Sequence, residues 1–304
     1  MLDMFHFDFY SPVEVLNYQP FQEQQCMVHV KRDDLIHPFI SGNKWRKLKY
    51  TLQDAAKMGK SHLVTFGGAW SNHLLATAAA GAKFGFTTTG YVRGESVVNP
   101  NLQLCQLFGM QLVFVNRTTY KDKFALYRQY HEEDATTYFI DEGGKASTAL
   151  EGCAEIIASL DEDYDHLLCA CGTGTTLAGL RWGVTKYEKS ITLHGVPVLK
   201  EGEFIQDTVR QWNPINGEIV LHTNYHFGGY AKTKPELLTF ISHFVANTGM
   251  LIEPVYTGKL FYALADLIRK DYFAKGSKIL VLHTGGLTGV LGTLAKFEAN
   301  VLQK

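Results

Sequence analysis

The sequence predicts an α/β protein: open, twisted parallel sheets covered by helices on both faces. Three observations lead there. Short apolar runs alternate with amphipathic segments along the chain. Glycine-rich turns join an apolar run to the next amphipathic segment, as in Phe66-Gly67-Gly68 and Cys171-Gly172-Thr173-Gly174. A chain of 304 residues is long enough for two such sheets.

The elements follow in order. Residues 27–30 read as a strand. Residues 44–58 read as a helix, with Trp45, Leu48, Leu52 and Ala55 on one face and Gly59 as the stop. A strand over 62–66 runs into Gly67-Gly68, and Ser71 is placed to cap an alanine-rich helix that ends near Gly85. Strands over 91–93 and 112–115 flank a helix over 102–108, and a helix over 121–132 precedes a strand over 138–140. The second half predicts helices over 148–160, 175–184, 236–247 and 258–272, and a closing helix from about Thr288. Its strands are 167–171, 192–198, 219–222 and 279–283. The best crossover point is Asp141-Glu142-Gly143-Gly144.

Composition narrows the function. Hydrophobic residues at 46% and charged residues at 19% describe an ordinary globular chain, and a net charge of −1 gives no electrostatic case for nucleic acid or membrane partners. No apolar run is long enough to span a bilayer. Met1-Leu2-Asp3-Met4 carries no basic segment followed by an apolar run, so no signal peptide is expected. The five cysteines are scattered and odd in number, which suggests a reducing cytoplasm. Cys169-Ala-Cys171 has the wrong spacing for zinc and reads as the end of a buried strand, so no metal is expected.

Four segments carry chemistry. In Ser41-Gly42-Asn43-Lys44-Trp45-Arg46-Lys47-Leu48, Lys44 follows a Gly-Asn turn at a helix start. The helix dipole there disfavours the ammonium form, and a neutral amine condenses with carbonyls. Arg46, Lys47 and Lys49 read as a solvated helix face or local ion pairs. Cys171-Gly172-Thr173-Gly174-Thr175-Thr176 follows a strand and opens a helix. It offers backbone N–H groups and hydroxyls to an anion, although a plain tight turn explains it equally well. It lacks a P-loop ending and a full dinucleotide fingerprint, so a small phosphate monoester fits best.

Gly67-Gly68-Ala69-Trp70-Ser71-Asn72-His73 is a second strand-to-helix turn. Ser71 and His73 could hold a substrate carboxylate and Asn72 a ring hydroxyl, while simple capping would account for Ser71 alone. Leu282-His283-Thr284-Gly285-Gly286 ends the last strand, where Thr284 could face a ring nitrogen or merely form a turn. Together the four segments supply what a pyridoxal phosphate site needs.

With Val30-Lys31-Arg32-Asp33-Asp34, Glu142-Gly143-Gly144 and Glu253-Pro254-Val255-Tyr256-Thr257-Gly258-Lys259 added, the chain resembles the 1-aminocyclopropane-1-carboxylate deaminase and D-cysteine desulfhydrase family. That family belongs to the tryptophan-synthase-β-like, fold type II pyridoxal phosphate enzymes. The resemblance implies that Lys44 holds the cofactor and later serves as the proton-transfer base. It implies that Asn72 contacts the ring hydroxyl, that Gly172, Thr173, Gly174, Thr175 and Thr176 hold the phosphate, and that Thr284 faces the ring nitrogen. Ser71, Asn72 and His73 would bind substrate, and Tyr230 and Tyr256 match the two tyrosines flanking the cofactor.

It further implies a large domain of residues 1–46 and 147–304, a small domain of residues 47–146, a cofactor in the cleft between them, and a homodimer. The implied reaction is α,β-elimination from a small amino acid to a 2-oxo acid and ammonia. Thr257 stands where the ring-opening deaminases carry glutamate, which favours the desulfhydrase side. Leu74-Leu75-Ala76 and the bulky Trp70 depart from the desulfhydrases. Cyclopropane ring opening, racemisation, β-replacement and a non-catalytic phosphate-ligand-binding protein are the alternatives.

Overall fold

The computed structural model describes residues 5, 7–23, 25–213 and 218–301, so the 1–4 segment read for a signal peptide lies outside the described residues. Strand β1 (Val13–Val15), helix α1 (Gln19–Gln22) and strand β2 (Met27–Lys31) lead to α2 (Asn43–Lys57). Then come β3 (His62–Gly67), α3 (Asn72–Phe84), β4 (Thr87–Arg93), α4 (Pro100–Leu107), β5 (Met110–Val115), α5 (Lys123–His131) and β6 (Thr137–Ile140). The chain continues through α6 (Thr148–Ala158), β7 (His166–Cys171), α7 (Thr175–Lys186), β8 (Thr192–Pro197), α8 (Phe204–Trp212) and β9 (Val220–Leu221). It ends with α9 (Pro235–Thr248), α10 (Thr257–Arg269), β10 (Lys278–Leu282) and α11 (Leu294–Val301).

The strands form two sheets, one of order β1-β2-β10-β7-β8-β9 and one of order β5-β4-β3-β6. The pairings are parallel, as alternating strands and helices require, except that β1 runs antiparallel to β2. That edge strand corrects the all-parallel expectation; the short α1 turn reverses the chain, where a crossover helix would have kept it parallel.

Strand β10 shows why the apolar runs do not alternate. Ile279, Leu280, Val281 and Leu282 are all 0% exposed, because both faces of the large sheet are covered. Val28, Val30, Ile279 and Val281 pack with Leu260, Phe261 and Leu264 of α10 on one side. Leu167, Leu280 and Leu282 pack with Leu177 and Leu180 of α7 on the other. In the smaller sheet, Leu63 of β3 meets Trp45, Leu48, Leu52 and Ala55, the face of α2 that helical spacing picks out.

Several elements depart from the sequence reading, which has no counterpart for β1 or α1. Strand β4 begins at Thr87, not residue 91, because Thr87–Gly90 hydrogen-bond to β3 without any apolar signal of their own. The closing α-helix begins at Leu294, after a 3-10 segment over Leu287–Gly292. Helix α8, with Ile205, Thr208 and Val209 buried at helical spacing, has no counterpart in the sequence reading. No helix among the described residues is long and apolar enough to cross a membrane. The C-terminal ends of β3, β7 and β10 and the first turns of α2, α3 and α7 open onto one cavity of about 530 Å³.

Candidate active site

Lys44 enters this cavity from the second position of α2. Gly42, at φ +60°, makes the turn, and its amide is tied to the Asp33 carbonyl at 2.9 Å. Burial holds the Lys44 amine well below an ordinary lysine, and Lys47 pushes the same way, while Cys153 and Glu142 oppose. The lowered lysine pKa predicted from the helix start is thus chiefly an effect of desolvation.

Gly172, Thr173, Gly174 and Thr176 line the cavity opposite. Gly174, at φ +83°, precedes α7 without any side-chain cap, so the first amides of that helix are left for an anion. Asn43 donates to the Thr176 hydroxyl at 2.9 Å and couples the lysine-bearing helix to this loop. Thr175 is not in the cavity wall; it is fully buried, its hydroxyl 3.0 Å from that of Thr173.

Ser71, Asn72 and His73 all line the cavity. Ser71 also caps α3, accepting from the Leu74 amide at 3.3 Å, so capping and cavity access coexist. The Asn72 amide lies against Gly286, where an added Cβ would stand 2.3 Å from its nitrogen. His73 Nε2 is 2.8 Å from the Thr65 hydroxyl, which spends its one proton on the Ile140 carbonyl at 3.0 Å. Nε2 is therefore the donor. Burial, Lys44 and Lys47 hold the His73 pKa well below an ordinary histidine. The neutral ring then leaves Nδ1 as a buried acceptor without a partner among the described residues.

Thr284 lies in the wall two residues past β10. Tyr256 and Tyr230 close the far side, their rings 6.0 Å apart at 74°. Desolvation raises both phenol pKa values, although Tyr230 as a whole is 45% exposed; Tyr256 favours ionisation of Tyr230, and Tyr230 disfavours that of Tyr256. Gly172 leaves room for Tyr256, whose ring would be 3.3 Å from an added Cβ.

Lys47 is the functional candidate that the sequence reading assigned to a solvated face. It is 3% exposed, lines the same cavity and donates to the Gly143 carbonyl at 3.0 Å. Its three-residue spacing from Lys44 was the available signal, since such positions share a helix face. Arg46 and Lys49 do form local ion pairs, Arg46 with Asp33 through two bonds of 3.1 and 2.9 Å and Lys49 with Glu155 at 2.6 Å.

The donor set fits a phosphate monoester that carries an aldehyde. Uncapped amides of α7, with Lys47 in the same cavity, suit a dianion, an amine whose pKa is held well below the ordinary range suits the carbonyl, and Asn72 and Thr284 offer polar atoms to a ring. A cavity of about 530 Å³ accommodates such a molecule with a small substrate.

Residues 8–285 match the pyridoxal-phosphate dependent enzyme family. A Pyrococcus furiosus protein provisionally named 1-aminocyclopropane-1-carboxylate deaminase is 32% identical over 86% of this chain and 85% of its own. The Arabidopsis thaliana bifunctional D-cysteine desulfhydrase/1-aminocyclopropane-1-carboxylate deaminase is 29% identical over 86% of this chain and 72% of its own. The crystal structure of a 1-aminocyclopropane-1-carboxylate deaminase homologue superposes with a TM-score of 0.86 at 28% identity, covering 96% of this chain and 94% of that one. The chain belongs to the pyridoxal-phosphate dependent enzymes, and its cofactor is pyridoxal 5'-phosphate.

Proposed function

We propose that this enzyme is a lyase that deaminates a small amino acid by α,β-elimination, with D-cysteine as its first candidate substrate. The observation that carries this reading is at Thr257. Its hydroxyl is turned into the start of α10, accepting from the Glu253 amide at 2.8 Å. The Glu253 carboxylate is itself engaged by the amides of Val255, Tyr256 and Thr257 at 2.7, 2.6 and 2.8 Å. Neither Thr257 nor Glu253 therefore offers a free carboxyl beside Tyr256 for a cyclopropane opening, and the carboxylates that do line the cavity, Asp141 and Glu142, belong to the segment just past β6. The printed names of the relatives, which include D-cysteine desulfhydrase, support the substrate class.

When bound, the cofactor supplies the electron sink that lets the α-carbon lose its proton. The amides of α7, with Gly172, Thr173, Gly174 and Thr176 around them, hold its phosphate, and Lys47 adds a positive charge. Asn72 and Thr284 orient its ring. Ser71, Asn72 and the first amides of α3 bind the substrate carboxylate, whereas His73, with Nδ1 an acceptor, suits a donor of the substrate such as its amino group. Lys44 takes the α-proton, which its neutral form permits. Tyr230 and Tyr256 remain protonated phenols, and Tyr230 gives a proton to the departing sulfur. The carbon–sulfur bond breaks with its electron pair leaving on sulfur, and hydrolysis of the enamine yields a 2-oxo acid and ammonia.

The same reading divides the chain into a large unit, residues 1–46 with 147–304, and a small one, residues 47–146. Two sheets with separate cores support two units, while Phe5, Ile36, Ile40 and Trp45 pack in the core of the smaller sheet and the 46/47 boundary falls within α2. A homodimer is carried by the family resemblance, and a cytoplasmic setting by the five unpaired, buried cysteines.

Absorption spectroscopy with added cofactor tests the lysine. A violet band that borohydride removes, absent from Lys44→Ala, is the expected result. Release of sulfide, ammonia and 2-oxo acid from D-cysteine supports the reaction; turnover of 1-aminocyclopropane-1-carboxylate alone would overturn it.

A further inference from the structure

Lys259 has no part in the chemistry above, yet it is among the most completely engaged side chains in the protein. It sits in the first turn of α10 and is 0% exposed. Its ammonium reaches three backbone carbonyls, Val198 at 3.1 Å, His226 at 2.9 Å and Gly229 at 2.8 Å. An ammonium has three protons, so its donor capacity is filled. The position is costly in itself, since a cation near a helix start opposes the dipole and burial removes its hydration. Burial lowers its pKa to about 8, against the pull of Glu253.

Two of the three carbonyls belong to the turn that ends immediately before Tyr230. That turn is poorly disposed to hold itself. Phe227, Gly228 and Gly229 have φ of +52°, +96° and +119°, and Ala231 beyond Tyr230 has +55°. For Phe227 and Ala231 this left-handed backbone is strained. Local support comes from Gly229 N–H to the His226 carbonyl at 3.0 Å, Gly228 N–H to the His226 ring at 2.9 Å and Lys232 N–H to the Gly229 carbonyl at 3.1 Å. The third carbonyl, Val198, lies just past β8, so Lys259 fastens the turn to the large sheet. Glu253 does the equivalent for Tyr256, which belongs to the same seven-residue segment.

We propose that Lys259 is the positioning residue for Tyr230: by clamping the carbonyls of His226 and Gly229 to the end of β8, it fixes the phenol at the cavity mouth. Lys259 and Glu253, at the two ends of Glu253-Pro254-Val255-Tyr256-Thr257-Gly258-Lys259, thereby set both tyrosines from one helix start. The inference rests on the reading that Tyr230 takes part in the elimination.

The test compares Lys259→Gln, Tyr230→Phe and the double variant as full-length proteins. Amide hydrogen exchange, with and without cofactor, should speed up over residues 226–232 by roughly tenfold or more in Lys259→Gln, with β10 unchanged. With D-cysteine, Lys259→Gln should lower kcat by roughly tenfold or more with little change in KM, and should cause no further loss in the Tyr230→Phe background. Unchanged exchange at 226–232, or losses that simply add in the double variant, would overturn the proposal. Should Lys259→Gln fail to fold by circular dichroism, Lys259→Met, which fills the site without a donor, takes its place with the same exchange and cycle criteria. Parental kcat in Tyr230→Phe would remove the catalytic reading of Tyr230, and the exchange measurement would still decide whether Lys259 holds the turn.

Discussion

Gly42 packs directly against the backbone carbonyl of Thr284: a Cβ at position 42 would stand 1.8 Å from that oxygen. Two segments 242 residues apart in the chain, the turn before Lys44 and the end of β10, thus meet with no side chain between them. The contact ties the segment that carries the Lys44 amine to the one that carries the Thr284 hydroxyl, both of which line the cavity. It also requires φ of +60° at Gly42, a region other residues avoid.

Gly42→Ala should therefore displace either the lysine-bearing turn or the Thr284 segment. The left-handed backbone alone costs about 1–2 kcal/mol, and relief of the clash adds to it. Thermal unfolding should show a lower midpoint, and cofactor titration a weaker and altered absorption band. A variant with parental stability and spectrum would show that the two segments separate freely.

Lys47 is expected to act on the phosphate and not on the ring. Lys47→Met should weaken pyridoxal 5'-phosphate binding by roughly tenfold or more, the worth of a charge-assisted hydrogen bond. Binding of pyridoxal, which lacks the phosphate, should change little. Equal losses for both ligands would place Lys47 elsewhere in the site.

Arg46 and Asp33, 3% and 0% exposed, form a two-bond pair behind Lys44, and Ser11 gives Asp33 a further bond at 2.6 Å. Removing one member strands the other as a buried charge. Arg46→Met should cost about 3–5 kcal/mol in denaturant unfolding, and Arg46→Met with Asp33→Leu much less than the sum of the single changes.

Acid sensitivity should arise at His194. It lies between His166 and His222 with ring nitrogens 3.0 Å from each, on strands β7 and β8 and just past β9. Burial, then His222 and His166, lowers its pKa to about 3. The unfolded chain, with histidine near 6.5, binds the proton first as pH falls. Stability from this group is thus fully present above about pH 6.5 and is lost progressively toward about pH 3, by up to ~1.4 kcal/mol per pH unit. Urea unfolding at pH 7.5 and 5 should show this decline, and His194→Gln should reduce its slope, with buried His73 and His283 contributing to what remains.

The sequence by itself determined most of the strands and helices, because burial on both sheet faces leaves apolar runs such as 279–282 and one-sided packing leaves the spacing of Trp45, Leu48 and Leu52. It also marked the lysine, the glycine loop and the two tyrosines, whose short motifs survive reading in one dimension. What it could not hold was anything set by contact between distant segments. Thr87–Gly90 is a strand because β3 pairs with it. Lys47 is buried because α2 turns that face toward the cavity and Gly143. Thr175 points away from the ligand space although its neighbours line it, since the turn at Gly174 rotates successive side chains to opposite sides. His73 is an acceptor only because Ile140 takes the Thr65 proton. Those facts depend on three-dimensional neighbours, and only the tertiary structure decided them.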